Sequence, residues 1–276
     1  MSWGLDDVRV TRGRATALDR VTVDVCPSRV TVVVGGDGAG KSTCLQVLAG
    51  LLEPGEGTVR RPAKERIGYV PATAGFYGDL TVQENIRFAA AAYRMSASER
   101  DGKAAKLLEQ SGLAAARHRL GGQLSGGMQR KLAVGLALLH SPELLILDEP
   151  TTGVDPVSRA DLWRLISRSA VEGAAVLVAT TYVNEAARAG SVVLLDAGKV
   201  LASGTPEQIL ASVPGAVGVW RGAERPSPLS WRRGMSWRIW APAGMLPEGT
   251  EPVRPDFDDA VVVSALVAEM ASGRKE

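Results

Sequence analysis

The chain has 276 residues, 45% hydrophobic and 22% charged, enough for one large domain or a domain with an appendage, and this composition excludes a disordered or fibrous protein. Thirty-two Lys and Arg against thirty Asp and Glu leave a net charge of +2, too little for a broad footprint on nucleic acid or an anionic membrane. Cys26 and Cys44 read as two small buried hydrophobes, which suits a reducing compartment and excludes a disulfide framework or a cysteine-built zinc site. Two aspartates sit within residues 1–10, and no run free of Asp, Glu, Lys and Arg exceeds thirteen residues, so neither an export signal nor a bilayer span is expected.

In chain order, residues 5–34 read as three strands. Val8 and Val10 alternate with polar neighbours, Val21, Val23 and Val25 repeat the pattern, and 30–34 is a nearly continuous buried run. That run leads into Gly35-Gly36-Asp37-Gly38-Ala39-Gly40, after which Leu45, Leu48 and Ala49 recur at helical spacing until Gly50 stops them. From 73 to about 140 the pattern is helical only, with Thr81-Val82-Gln83-Glu84 and Ser96-Ala97-Ser98-Glu99 each fitting a capping box, and this marks an inserted helical subdomain. Further strands are expected at 66–70, 144–147, 174–179 and 192–195, with a helix over 157–171. Short apolar strands alternating with helices imply an α/β fold built on a parallel sheet covered on both faces. One short helix is expected after Gly204-Thr205-Pro206. From about 213 onward the composition shifts to Pro, Gly, Arg and Trp, with four of the six tryptophans between Trp220 and Trp240, as in a separate appendage.

Gly35-x4-Gly40-Lys41-Ser42 fits a phosphate-binding loop, and it stands between a buried strand and a helix, where the mechanism needs it. Gly35, Gly36, Asp37, Gly38, Ala39 and Gly40 let successive backbone N–H groups curve around phosphate oxygens, and the helix N-terminus adds partial positive charge. Lys41 is expected to neutralise the β and γ phosphates, Ser42 to offer its hydroxyl to Mg²⁺, and Thr43 to bind a neighbouring phosphate oxygen. The run 144–149 is a buried strand ending in two carboxylates, at the sheet edge where doubly wound folds hold ligands. Asp148 is placed to hold Mg²⁺ through water, and Glu149 to polarise an attacking water.

Leu124-Ser125-Gly126-Gly127-Met128-Gln129-Arg130-Lys131 precedes this strand and Thr152-Gly153-Val154-Asp155-Pro156 follows it. With the two motifs above, in this order, residues 1–212 resemble the nucleotide-binding domain of an ATP-binding cassette (ABC) transporter. The resemblance implies a P-loop NTPase core with a mixed sheet flanked by helices, the helical subdomain inserted at about 73–140, and a small C-terminal accessory region at 213–276. It implies an ATP hydrolase using ATP and Mg²⁺ that pairs head to tail with a second such domain, as a homodimer or heterodimer. Ser125, Gly126, Gly127 and Asp155 then act in trans on the partner's nucleotide. It further implies a separate integral membrane permease touched by residues 73–92, and a cytoplasmic place at the inner face of the membrane. Arg254-Pro255-Asp256-Phe257-Asp258-Asp259-Ala260 before an apolar helix is similar to the tail of bacterial ABC exporter ATPases, a lean to export, and reads equally as a proline-started amphipathic helix with an acidic first turn. No nucleic-acid partner is expected.

Three positions depart from the family pattern. Ala72, after Ile67-Gly68-Tyr69-Val70-Pro71, stands where the family has a glutamine that senses Mg²⁺ and the attacking water; Thr181 stands where it has a switch histidine. Arg12 replaces the aromatic that stacks on adenine, which a planar guanidinium can also do. His118 and His140 read as surface or cap residues. Loss of one preorganised donor costs about 3 kcal/mol, roughly a hundredfold in rate. The expectation is therefore a chain that binds MgATP and hydrolyses it weakly alone, while its Ser125 completes the pocket of a fuller partner. The rival expectation is a nucleotide-gated regulatory or assembly subunit without useful turnover. In the appendage, Arg221, Arg225, Arg232, Arg233 and Arg238 among the tryptophans suit lipid headgroups or single-stranded nucleic acid. Three positive and seven negative charges over 241–276 cancel them, and the second account has the two halves fold on one another, with Trp237 and Ile239 on opposite faces of a strand.

Overall fold

The computed structural model describes residues 2–73 and 75–272; Ala74, inside the expected helical insertion, and 273–276, at the end of the expected accessory region, lie outside the described residues. The alternating valines of the N-terminal stretch form an antiparallel sheet of their own. β1 (Trp3–Arg12) pairs with β2 (Ala15–Val25) and with β4 (Glu56–Arg60), in the order β2-β1-β4. Leu5, Val8, Val10, Leu18, Val21, Val23 and Val25 bury one face of it. β4 has no expectation behind it: Val59 is its one large apolar residue and is half-buried, so the free edge of β1 makes the strand rather than any pattern of its own.

The main sheet has six strands in the order β5-β6-β7-β3-β8-β9, from β3 (Arg29–Val34), β5 (Ile67–Val70), β6 (Leu144–Asp148), β7 (Ala175–Thr180), β8 (Ser191–Asp196) and β9 (Lys199–Gly204). The first five run parallel, and β9 runs antiparallel to β8. The pattern reading of a parallel sheet holds for these five strands, and with β9 the sheet is the mixed one that the family resemblance implies. Asp196 pairs with Lys199 across a two-residue turn whose Ala197 and Gly198 both have positive φ, 43° and 76°, and such a hairpin joins only antiparallel strands. Val33, Ile146 and Leu177 point to one side, where α1 (Lys41–Leu48) and the small sheet pack; Val32, Val34, Leu145, Leu147 and Val178 point to the other, against α5 (Pro156–Val171).

The helical insertion holds α2 (Val82–Ala92), α3 (Ala97–Ser111) and α4 (Gly126–Leu138) around Ile86, Leu107, Leu108, Leu113, Leu132 and Leu136. Both expected capping boxes form. Thr81 accepts from the Glu84 N–H while Thr81 N–H donates to the Glu84 carboxylate, and Ser96 and Glu99 repeat the exchange. The lone turn α6 (Val183–Ala186) precedes β8, and the short helix expected after Pro206 is α7 (Pro206–Ala211), capped by Thr205. No helix among the described residues is long and apolar enough to cross a membrane.

Beyond α7 lies an antiparallel sheet in the order β11-β12-β10-β13, from β10 (Ala216–Trp220), β11 (Ser230–Arg233), β12 (Ser236–Ala241) and β13 (Glu251–Val253), followed by α8 (Phe257–Ser272). Two expectations change here. The region is not detached, because α8 lies on α6, α7 and β9 and buries Ala260 in the main core while Val263 packs on Val217 and Trp240. Trp237 and Ile239 share one face, since residues two apart on an unbroken strand point the same way. The halves do fold on one another. Arg233 is paired with Asp256, Asp258 and Asp259, Arg238 with Asp259, and Arg221 with Glu251. Cys44 is fully buried, which pushes its thiol up to about 12; Cys26 is only half-buried, a correction to the expected pair of buried hydrophobes.

Candidate functional site

The phosphate loop is a direct outcome of β3 ending at Val34 and α1 beginning at Lys41. Gly40, at the N-cap of α1, has φ 104°, and a Cβ there would stand 2.7 Å from the Ala17 carbonyl oxygen, so both conformation and packing require glycine. No side chain caps α1, which leaves its first-turn N–H groups to a ligand. Over Gly36 and Gly38 a Cβ would meet nothing within 4 Å, so the loop faces open space. Asp37 and Ser42 are exposed, Ala39 and Thr43 buried. Lys41 is 6% exposed and its Nζ donates to the carbonyls of Gly35 at 2.9 Å and Gly36 at 3.0 Å.

β6 delivers the acids. Asp148 is 2% exposed, and its Oδ1 is buried with no hydrogen-bond partner among the described residues. A buried carboxylate oxygen without a donor is costly, and a cation is what such an oxygen suits. Its charge also reaches Tyr69, whose phenol is held neutral by burial first and by Asp148 second. The chain turns sharply at Glu149, which has φ 48°, a conformation that L-residues adopt at a cost of about 1 kcal/mol or more. The turn brings Glu149 Oε1 to 3.4 Å from Lys41 Nζ. Glu149 Oε2 accepts from Thr152 Oγ1 at 2.9 Å and from the Thr181 N–H at 3.3 Å. Thus Lys41, Asp148, Glu149 and Thr181 converge, with Thr181 contributing its backbone rather than its hydroxyl.

A second group gathers elsewhere. Ser125 caps α4 by accepting from Met128 N–H at 3.4 Å, and Asp155 caps α5 through one oxygen that accepts from Val157 and Ser158 N–H at 3.0 and 2.9 Å, bonds that lower its pKa, those to Ser158 most. Gly126 is exposed, whereas Gly127 is buried where a Cβ would stand 2.4 Å from Ser158 Oγ and 3.3 Å from Asp155 Oδ2. The positive ends of two helices therefore meet at one corner. No hydrogen bond or ion pair among the described residues joins this corner to the phosphate loop. Arg12, at the end of β1, is exposed and donates to Gln46 Oε1 of α1 at 2.6 Å. His118 is exposed, and His140 stacks on Tyr93 with ring centres 3.6 Å apart.

Three residues at or near the site had no expectation behind them. Thr152 orients Glu149. Arg130 of α4 donates to the carbonyls of Ala72 and Thr73. Glu185 is 2% exposed and accepts from Thr151 Oγ1 at 2.7 Å and Trp163 Nε1 at 3.1 Å, which ties the loop after Glu149 to α6. Only Thr152, three residues from its partner, carried a local signal.

The sequence pattern described as ABC transporter matches residues 18–152. The chain is 39% identical over 196 residues to the probable multidrug ABC transporter ATP-binding protein YbhF of Escherichia coli (strain K12), covering 67% of this chain and 34% of that protein, so it spans about a third of that relative's length. It is 33% identical over 218 residues to the Nod factor export ATP-binding protein I of Paraburkholderia xenovorans (strain LB400), covering 75% and 72%. Among solved structures it is similar to an ATP binding subunit of an ABC transporter, with 30% identity, TM-score 0.70, and 76% of this chain and 92% of that one covered. It is also similar to the ATP-binding cassette MJ0796 in a dimeric post-hydrolysis state bound to ADP and Pi, with 25% identity, TM-score 0.65, and coverage of 74% and 98%.

Proposed function

This chain belongs to the ABC transporter family, as an ATP-binding subunit, and we propose that it binds MgATP at the phosphate loop, hydrolyses it slowly by itself, and powers a separate permease that exports its substrate. The observation that carries this reading is the convergence of Lys41, the donor-less Asp148 Oδ1 and the oriented Glu149 at the mouth of an open glycine loop. In the mechanism Lys41 leaves the Gly35 and Gly36 carbonyls for the β and γ phosphates. Ser42 and Asp148 would hold Mg²⁺, which when bound would offset phosphate charge. Glu149, freed from Lys41 and steadied by Thr152 and the Thr181 N–H, takes a proton from the attacking water. Arg12 would stack its guanidinium on the adenine.

Dimerisation completes the site: the corner formed by Ser125, Gly126, Gly127 and Asp155 presents helix N-termini to the partner's nucleotide. The MJ0796 dimer and the names of the export relatives support this reading, as do Tyr77 and Phe88, exposed and in edge-on contact at 4.8 Å, for the permease-facing segment 73–92. The chain then works at the cytoplasmic face of the membrane. Slow turnover follows from the methyl side chain of Ala72 and the uncharged Thr181; the rival reading is a regulatory subunit that binds without useful turnover. The test is calorimetry with MgATP plus phosphate release from the wild-type chain and Glu149→Gln. No heat of association ends the proposal, binding without release selects the rival, and release as fast as a fully equipped family member ends the claim of a slow site.

A further inference from the structure

Ala72 brings no polar side chain to the site, yet it lies two residues past Val70 of β5, which pairs with Leu147 of β6 next to Asp148. Arg130, one turn into α4, donates from Nη2 to the Ala72 carbonyl at 2.6 Å and from Nη1 to the Thr73 carbonyl at 3.4 Å. The charges of Asp148 and Glu149 act on the same guanidinium, opposing the burial that lowers its pKa. The adjacent cation on the helix goes another way, since Lys131 pairs with Asp161 of α5 at 2.6 Å. A guanidinium offers five N–H donors in a planar fork, so two can span successive carbonyls while others remain for the acid pair.

We propose that Arg130 is a positioning residue of the nucleotide site: it holds the backbone of Ala72 and Thr73 against the Asp148 and Glu149 pair and passes the charge state of the site to the permease-facing segment through backbone carbonyls. The proposal rests on the reading of this chain as a MgATP-binding subunit. The Arg130 guanidinium would be repelled by a divalent cation at Asp148 and attracted by an incoming phosphate, and because it is tethered to the two carbonyls, residues 72 and 73 would move with it. Thr73 lies four residues ahead of Tyr77, at the edge of the exposed aromatic pair.

The test compares the full-length wild-type chain with Arg130→Ala and Arg130→Lys, using MgATP as the probe. Arg130→Ala is expected to leave KM for MgATP within about threefold while kcat falls about tenfold or more, the scale seen when a partner that orients a ligating group is removed. Arg130→Lys recovers part of kcat through its charge, and adding Ala72→Gln to Arg130→Ala restores part of it by supplying a side chain at 72. If turnover is too slow to measure, hydrogen exchange reads the same link: MgATP protects the amides of Ala72 and Thr73 in the wild type and not in Arg130→Ala. The proposal is overturned if kcat in Arg130→Ala equals or exceeds the wild-type value, if amide protection is the same in both chains, or if both variants lose MgATP binding together with their melting temperature, which marks a structural role only. A wild-type chain that takes up no MgATP defeats the functional reading itself, a separate result.

Discussion

Lys41 Nζ and Glu149 Oε1 face each other at 3.4 Å with side chains only 7% and 16% exposed. The Lys41 ammonium and the Glu149 carboxylate thus hold each other, and a polyphosphate in the loop would compete for the ammonium. Because the pair is largely out of water, removing one partner changes what the other can bind.

Glu149→Gln is expected to lower phosphate release about a hundredfold or more, the scale of a lost general base. MgATP affinity stays within a few-fold or rises, since Lys41 no longer has an ion pair to give up. Calorimetry beside a phosphate-release assay checks both halves, and a parallel loss of binding argues against the assignment of Glu149 as base.

Gly127→Ala drives a Cβ into Ser158 and separates the N-termini of α4 and α5. Overpacking of this kind costs roughly 1–3 kcal/mol. Adding Ser158→Gly to the same chain clears the atoms it meets at 2.4 and 2.6 Å and returns most of the loss, as read by urea unfolding.

His140 has its pKa lowered from 6.5 to about 4, mainly by burial. A folded form that holds the proton less tightly than the unfolded chain contributes stability that is complete above 6.5 and is lost as the pH falls toward 4. His140→Phe keeps a ring on Tyr93 and removes that dependence. Urea midpoints at about pH 7 and about pH 4.5 then differ less in the variant than in the wild type. Equal differences in both chains exclude His140 as the source.

Arg238→Met strips one partner from Asp259, whose side chain is fully buried, while Arg233 stays 3.4 Å away. Leaving a buried carboxylate short of one partner costs about 1–3 kcal/mol. The expected loss appears as faster proteolysis of residues 213–272 and a lower unfolding midpoint, with MgATP binding unchanged.

The strand, loop and helix around Lys41 were legible because each signal is local: a valine run, glycines where a side chain would clash, and apolar residues at helical spacing. The capping boxes at Thr81 and Ser96 were legible for the same reason. β4 was not, because its stability comes from the edge of β1. Nor was β9, which had no expectation behind it and whose return along β8 depends on two positive φ angles at Ala197 and Gly198.

By itself the amino-acid order determined the phosphate loop, the two strand-end acids and the capped helices, since backbone preference and cap chemistry act over a few residues. Only the folded chain decided that Glu149 meets Lys41, that Arg130 reaches carbonyls 57 and 58 positions away, that Asp155 and Gly127 share a corner with Ser158, and that Arg233 and Arg238 of the C-terminal sheet pair with the acids that open α8. Those pairings join residues far apart along the chain, and it is the burial of the sheet faces that brings them within reach of one another.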